Sequence, residues 1–170
     1  MKLVTVRAIV ICQIVGGVLI LVTDLFTLAQ GVPDNLLYLF VYLVTSLGMA
    51  TLAVVAGFTL WKQTPMGVRL SIIAQIIQLT WITIPRSQFG AILGAIAGFQ
   101  LAISSVGDVY AAVNLGFYGK GGLLLLPADS HLQVPLSISV NLLAVLALAR
   151  LWPMRHSQPM DNSGKLGMAL

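Results

Sequence analysis

Glutamate is absent from this 170-residue chain, its five acidic residues are all aspartates, and charged residues make up only 8% of the whole. An ordinary soluble domain carries about a quarter, so there is too little charge here to cover a water-facing surface. The single cysteine, Cys12, excludes an intramolecular disulfide, a dithiol redox pair and a cysteine-rich metal site. Nine lysines and arginines give a net charge of +4. They are scattered along the chain without interleaved aromatics, which argues against nucleic-acid binding.

Catalytic constellations are missing as well. Zinc needs three or four converging ligands, and His131 and His156 are expected on opposite sides of a membrane. Ser104 and Ser105 have no His or Lys placed to act as their base. Gly119-Lys120-Gly121-Gly122 lacks the spacing and the trailing Ser or Thr of a phosphate-binding loop. Paired carboxylates for acid–base work are wanting, and no span carries an axial histidine for haem. The expectation is a protein that is not an enzyme and holds no metal or cofactor.

What is present is apolar sequence: 58% of the residues are hydrophobic and the mean hydropathy is +0.98. Four runs, at about 4–29, 36–61, 66–84 and 134–152, have roughly the 17–25 residues needed to cross a bilayer core. The first has a basic start like that of a secretory signal, but its length suits a signal-anchor helix. Trp61-Lys62 and Trp152 with Arg150 and Arg155 mark membrane–water boundaries. The sequence therefore predicts a single integral membrane domain, an all-α transmembrane four-helix bundle with both termini cytoplasmic. It carries an extracytoplasmic insert over 86–133 and a cytoplasmic tail over 153–170. This arrangement places Lys2, Arg7, Lys62, Arg69, Arg150, Arg155 and Lys165 inside, against Arg86 and Lys120 outside. A five-span reading, with Phe89–Ile103 as a further helix, blurs that asymmetry, and a re-entrant glycine hairpin is the third option.

The insert is the oddest stretch. Gly90, Gly94 and Gly98 stand at GxxxGxxxG spacing, which suits close helix packing, yet they also alternate with isoleucines in the period-2 manner of a strand. Val109–Tyr118 and Leu123–Leu126, flanking the Gly-Lys-Gly-Gly run, read as a β-hairpin. Its apolar surface, including Tyr110, Phe117 and Tyr118 with the three glycines, is the candidate docking region for a partner.

Polar residues inside apolar runs supply the other candidates. Asp24 is the one acid within a span, an expected functional or pairing site, with Gln13 and Gly17 on its helix face and Arg86 as the expected counter-charge. Ser71, Gln75 and Gln78 form a stripe on the third span, and Ser137 and Asn141 lie a turn apart on the fourth. Such groups hydrogen-bond between helices. Ser46, Ala50, Ala53 and Gly57 make a small-residue stripe that lets another backbone approach closely. No internal repeat is visible.

These features favour a non-catalytic accessory or scaffold subunit, packed with other membrane subunits or with itself among lipids in a larger, energy-converting complex of a bacterial inner membrane. The alternatives are a small oligomeric transporter or channel working through Asp24, Gln75, Gln78 and Asn141, and a lipid- or pigment-handling protein.

Overall fold

A computed structural model describes residues 2–29, 36–84, 87–103, 108–125 and 136–155. In chain order the elements are α1 (Lys2–Ala29), α2 (Leu36–Trp61), α3 (Pro65–Leu79), β1 (Thr80–Ile84), β2 (Ser87–Ile103), β3 (Val109–Leu125), β4 (Leu136–Asn141) and α4 (Leu142–Met154). Among the described residues, two helices are long and apolar enough to cross a membrane, over Val4–Ala29 and Leu39–Trp61. The architecture is not the expected all-α four-span bundle: among the described residues, four helices share the fold with a four-stranded antiparallel sheet.

Local chemistry explains the change. The third apolar run starts as a helix because Thr64 caps it, its hydroxyl accepting the Gly67 N–H at 3.0 Å, and Pro65 takes the first helical position. It stops at Thr80, where Thr-Trp-Ile-Thr-Ile concentrates β-branched and aromatic side chains that favour extended backbone. The fourth run is divided likewise. Leu136–Asn141 alternates along a strand, burying Ser137, Ser139 and Asn141 while Leu136 and Ile138 face outward. Ser137 and Asn141 therefore share a strand face rather than a helix face. Asn141 ends β4 and caps α4, its Oδ1 accepting the Leu143 N–H at 3.1 Å.

The 86–133 insert is built differently from its expectation too. The 109–118 and 123–126 segments do not fold onto each other around the glycine run. Val109–Leu125 is one continuous strand, antiparallel to Ser87–Ile103 along its full length, from Ser87↔Leu125 to Ile103↔Val109. Gly119, Gly121 and Gly122 lie inside that strand, opposite Leu93, Ala91 and Gly90. No fifth helix forms at Phe89–Ile103, which is strand throughout. The sheet order is β1-β4-β2-β3, and β1 also pairs with the start of β2 through Ile82↔Phe89 and Ile84↔Ser87. Strands β1, β4 and β2 thus close on one another, and β3 ends the sheet.

The sheet lies against the helices. A Cβ at Gly94 would sit 2.6 Å from the Cys12 carbonyl oxygen, so β2 crosses α1 at backbone contact near the middle of that helix. Gly94 has φ +92°, a conformation that suits glycine. The spacing of Gly90, Gly94 and Gly98 places all three on one strand face, where Gly90 makes room for Trp81 and Gly98 for the Val140 carbonyl.

Two helices form the frame for this contact. Val10, Gln13, Gly17, Ile20 and Asp24 are buried along α1 at 3–4–3–4 spacing, and Ser46, Ala50, Ala53, Gly57 and Leu60 repeat it along α2. This is the 3.5-residue seam by which two helices pack knobs into holes. One apolar core joins Ile9, Val10, Leu60, Val68, Ile72, Ala147 and Leu151 from all four helices. A second, rich in alanine, joins Ile20, Ala50, Ala53, Ala56, Ala74 and Ala91.

Candidate functional site

The polar residues of the apolar helices collect into two buried groups and border one cavity. In the first group, Asp24 of α1 is only 7% exposed, and each carboxylate oxygen accepts a hydroxyl from α2. Tyr42 Oη donates to Oδ1 at 2.9 Å and Ser46 Oγ donates to Oδ2 at 2.7 Å. A buried acceptor left unmatched costs about 1–3 kcal/mol, so two donors from one neighbouring helix make this group a cross-helix staple. Arg86, the expected partner, lies outside the described residues.

Sequence reasoning missed Tyr42, although a signal was present. Asp24 stands nine residues before Pro33 and Tyr42 nine after it, so an antiparallel helix pair turning there brings the two level. Ser46 follows one helical turn later on the same face.

The second group lies deeper along the same seam. Gln13 is fully buried, and its Oε1 accepts Ser71 Oγ at 3.1 Å across to α3. The Ser71 hydroxyl also lies 3.4 Å from the Ala56 carbonyl of α2. Gln13 Nε2 meets no acceptor among the described residues. Gln75 and Gln78 share the buried face of α3 with Ser71.

The small-residue stripe of α2 faces α1 within the same chain. A Cβ at Gly17 would lie 2.8 Å from the Ala50 carbonyl oxygen, and one at Gly57 would lie 3.2 Å from the Val10 carbonyl oxygen. The backbones touch at both points. Within the sheet, Asn114 Nδ2 donates to Gln100 Oε1 at 3.0 Å, a cross-strand bond that the apolar reading of the insert did not include. Tyr110 is exposed on β3; the side chains of Phe117 and Tyr118, and both histidines, lie outside the described set.

Between α1 and α4 a cavity of about 650 Å³ opens to the exterior, with α3 as its floor. Gln75, Gln78 and Asn141 border it, and Thr5 and Arg150 also line it. Arg7 lies with Leu60 and Trp61 around a smaller hollow of about 210 Å³. The N-terminal part of α1, the C-terminal part of α2 and the end of α4 therefore gather at one cationic end of the molecule. Lys62 Nζ stands 4.6 Å from the Phe58 ring there, and the Arg155 guanidinium 5.5 Å from Trp152.

Among the described residues, no three His, Cys, Asp or Glu side chains come together as a metal site. Compared with known proteins, the chain matches no family model, no curated protein and no solved structure.

Proposed function

We propose that this protein is a non-catalytic integral membrane subunit, docking a second membrane protein through the outer strand of its sheet. The observation that carries this reading is the position of β3. Its seventeen residues end the sheet, and among the described residues they pair with β2 alone. Val109, Val113 and Leu115 are each more than 70% exposed.

The depth of the sheet gives that edge its meaning. Gly94 meets α1 at Cys12, about fifteen ångströms from the helix start at 1.5 Å per residue. With α1 and α2 crossing a bilayer, the sheet shares their depth. Its outward rows agree, since Ile82, Phe99, Leu101, Ile103, Leu136 and Ile138 point away from the core while serines and Asn141 point in. Hydrocarbon does not tolerate open strand edges, because each unmatched peptide group costs several kcal/mol. A partner chain that pairs with or covers β3 removes that cost. The surroundings that suit such a subunit are a bacterial inner membrane, with the cationic end of the helices on the cytoplasmic side.

The transport reading draws on Gln75, Gln78 and Asn141, which border the α1–α4 cavity, and on its one charged member, Asp24. Both of its oxygens are taken up by Tyr42 and Ser46, and it is not among the residues lining the α1–α4 cavity. The staple role has the better support.

Extraction from native membranes in a mild detergent, followed by native-size separation and mass spectrometry, tests the proposal. A second membrane protein in fixed stoichiometry is the expected result. An isolated monomer would overturn it.

A further inference from the structure

The α1–α4 cavity has two unlike ends. Its walls are apolar and small: Ala8, Ile9 and Cys12 from α1, and Leu143, Ala144 and Ala147 from α4. Its volume of about 650 Å³ falls within the roughly 300–1,000 Å³ of small-molecule sites. At the inner end the bordering polar groups are three carboxamides, Gln75, Gln78 and Asn141, each at most 5% exposed. None of these carries a charge.

Asn141 is the informative member. Its amide orientation is fixed by the helix cap, because only the oxygen can accept the Leu143 N–H at 3.1 Å. Nδ2 therefore faces the other way, and among the described residues it has no acceptor although the side chain is only 3% exposed. Such a donor calls for an oxygen on whatever fills the cavity. Arg150 is nine residues further along, about 13 Å up the helix axis. A carboxylate or phosphate ligand would settle at that outer cationic end and leave Asn141 unmatched.

We propose that the cavity binds a neutral long-chain lipid through a carbonyl oxygen, which accepts the Asn141 Nδ2 hydrogen while the chain lies against the apolar walls between α1 and α4. A prenylated quinone and an acylglycerol both offer this chemistry. Ala8 and Ala147 give the chain its space.

The test uses the full-length protein, purified in mild detergent and stripped of lipid, with three probes: a decyl-substituted benzoquinone, dioleoylglycerol and oleate. Binding is read by native mass spectrometry. It is also read by protection from maleimide of Cys12, the single thiol, which is half-buried and lines the cavity. One of the two neutral probes is expected to bind and to protect Cys12, and which one does so identifies the source of the carbonyl. Asn141→Asp keeps the helix-capping oxygen but removes the donor, and should weaken that probe at least tenfold. Ala8→Leu, at an exposed position on the wall, should abolish binding while leaving the fold intact, and so stands as a check if the Asp variant fails to fold. Oleate binding as tightly as the neutral probes, an Asn141→Asp variant of unchanged affinity, or no binding by either neutral probe would each overturn the proposal.

Discussion

Ser46 donates its hydroxyl to the Asp24 carboxylate at 2.7 Å, joining two helices that each run the length of a membrane span. With Tyr42 on the other oxygen, the only acid buried in α1 is held without a cation among the described residues. Removing either donor leaves one carboxylate oxygen unmatched. Ser46→Ala should lower stability by about 1–2 kcal/mol, read as a lower thermal midpoint in detergent. Combined with Asp24→Ala, the loss should be smaller than the sum of the two single losses, because both changes break the same bond. Additive losses would show that the pair contributes nothing jointly.

Asp24→Asn separates the staple from a transport role. The amide keeps one oxygen for a hydroxyl and nearly the same shape, so the complex with the partner should survive at modestly reduced stability. Loss of an ion or solute flux in vesicles, with assembly intact, would instead place Asp24 on a conduction path.

Two helical glycines should respond in opposite directions. Gly17 has no room, with the Ala50 carbonyl oxygen and Val54 Cγ2 both 2.8 Å from a Cβ there, so Gly17→Ala should force α1 and α2 apart and cost about 1–3 kcal/mol. Gly48, with nothing within 4 Å, gains from the same change. Replacing it with alanine should stabilise α2 by about 0.5–1 kcal/mol through backbone entropy alone. Thermal unfolding of the two variants side by side checks both signs.

The open edge predicts a separation of assembly from folding. Val113→Lys and Leu115→Lys place charges at positions 72% and 76% exposed, away from both apolar cores. The variant chain should be as stable as the parent in detergent and should lose its co-purifying partner. Retained partner stoichiometry would move the docking surface elsewhere.

The cationic end predicts sidedness. With Cys12 replaced by serine, cysteines introduced at Lys62 and Arg155 should react with a membrane-impermeant maleimide from the same face of sealed vesicles. Labelling from opposite faces would contradict the clustering of these helix ends.

Two long apolar helices were legible in the sequence because length and hydropathy suffice to identify them. The small-residue stripe of α2 was visible as a pattern, while its position against Gly17 emerged only from the fold. Composition misled in the other two runs. Thr80–Ile84 and Leu136–Asn141 lie inside apolar runs, but β-branching and the alternation of polar with apolar side chains suit them to strands, and summed hydropathy records neither. The glycines of the insert carried both periods at once, and only pairing with a partner strand decides between them. Asp24 could be identified as important, but its partners depended on the helix-pair register, which Pro33 marks without announcing.

The pairing of β1 with β4 also governs how the chain reaches this state. Thr80 meets Val140 across sixty residues of chain, whereas only six residues of chain separate α1 from α2. Closing a long loop costs entropy before any contact compensates for it, so distant strand pairing is slow where neighbouring helices dock fast. By this reasoning the pair of α1 and α2 is expected to form first and to serve as a platform. Assembly is complete only when β4 returns from the far end of the chain, sliding between β1 and β2 and delivering α4 beside α3. That last step is the expected slow phase of refolding, and a chain halted before it would present β1 and β2 with bare edges to whatever lies nearby.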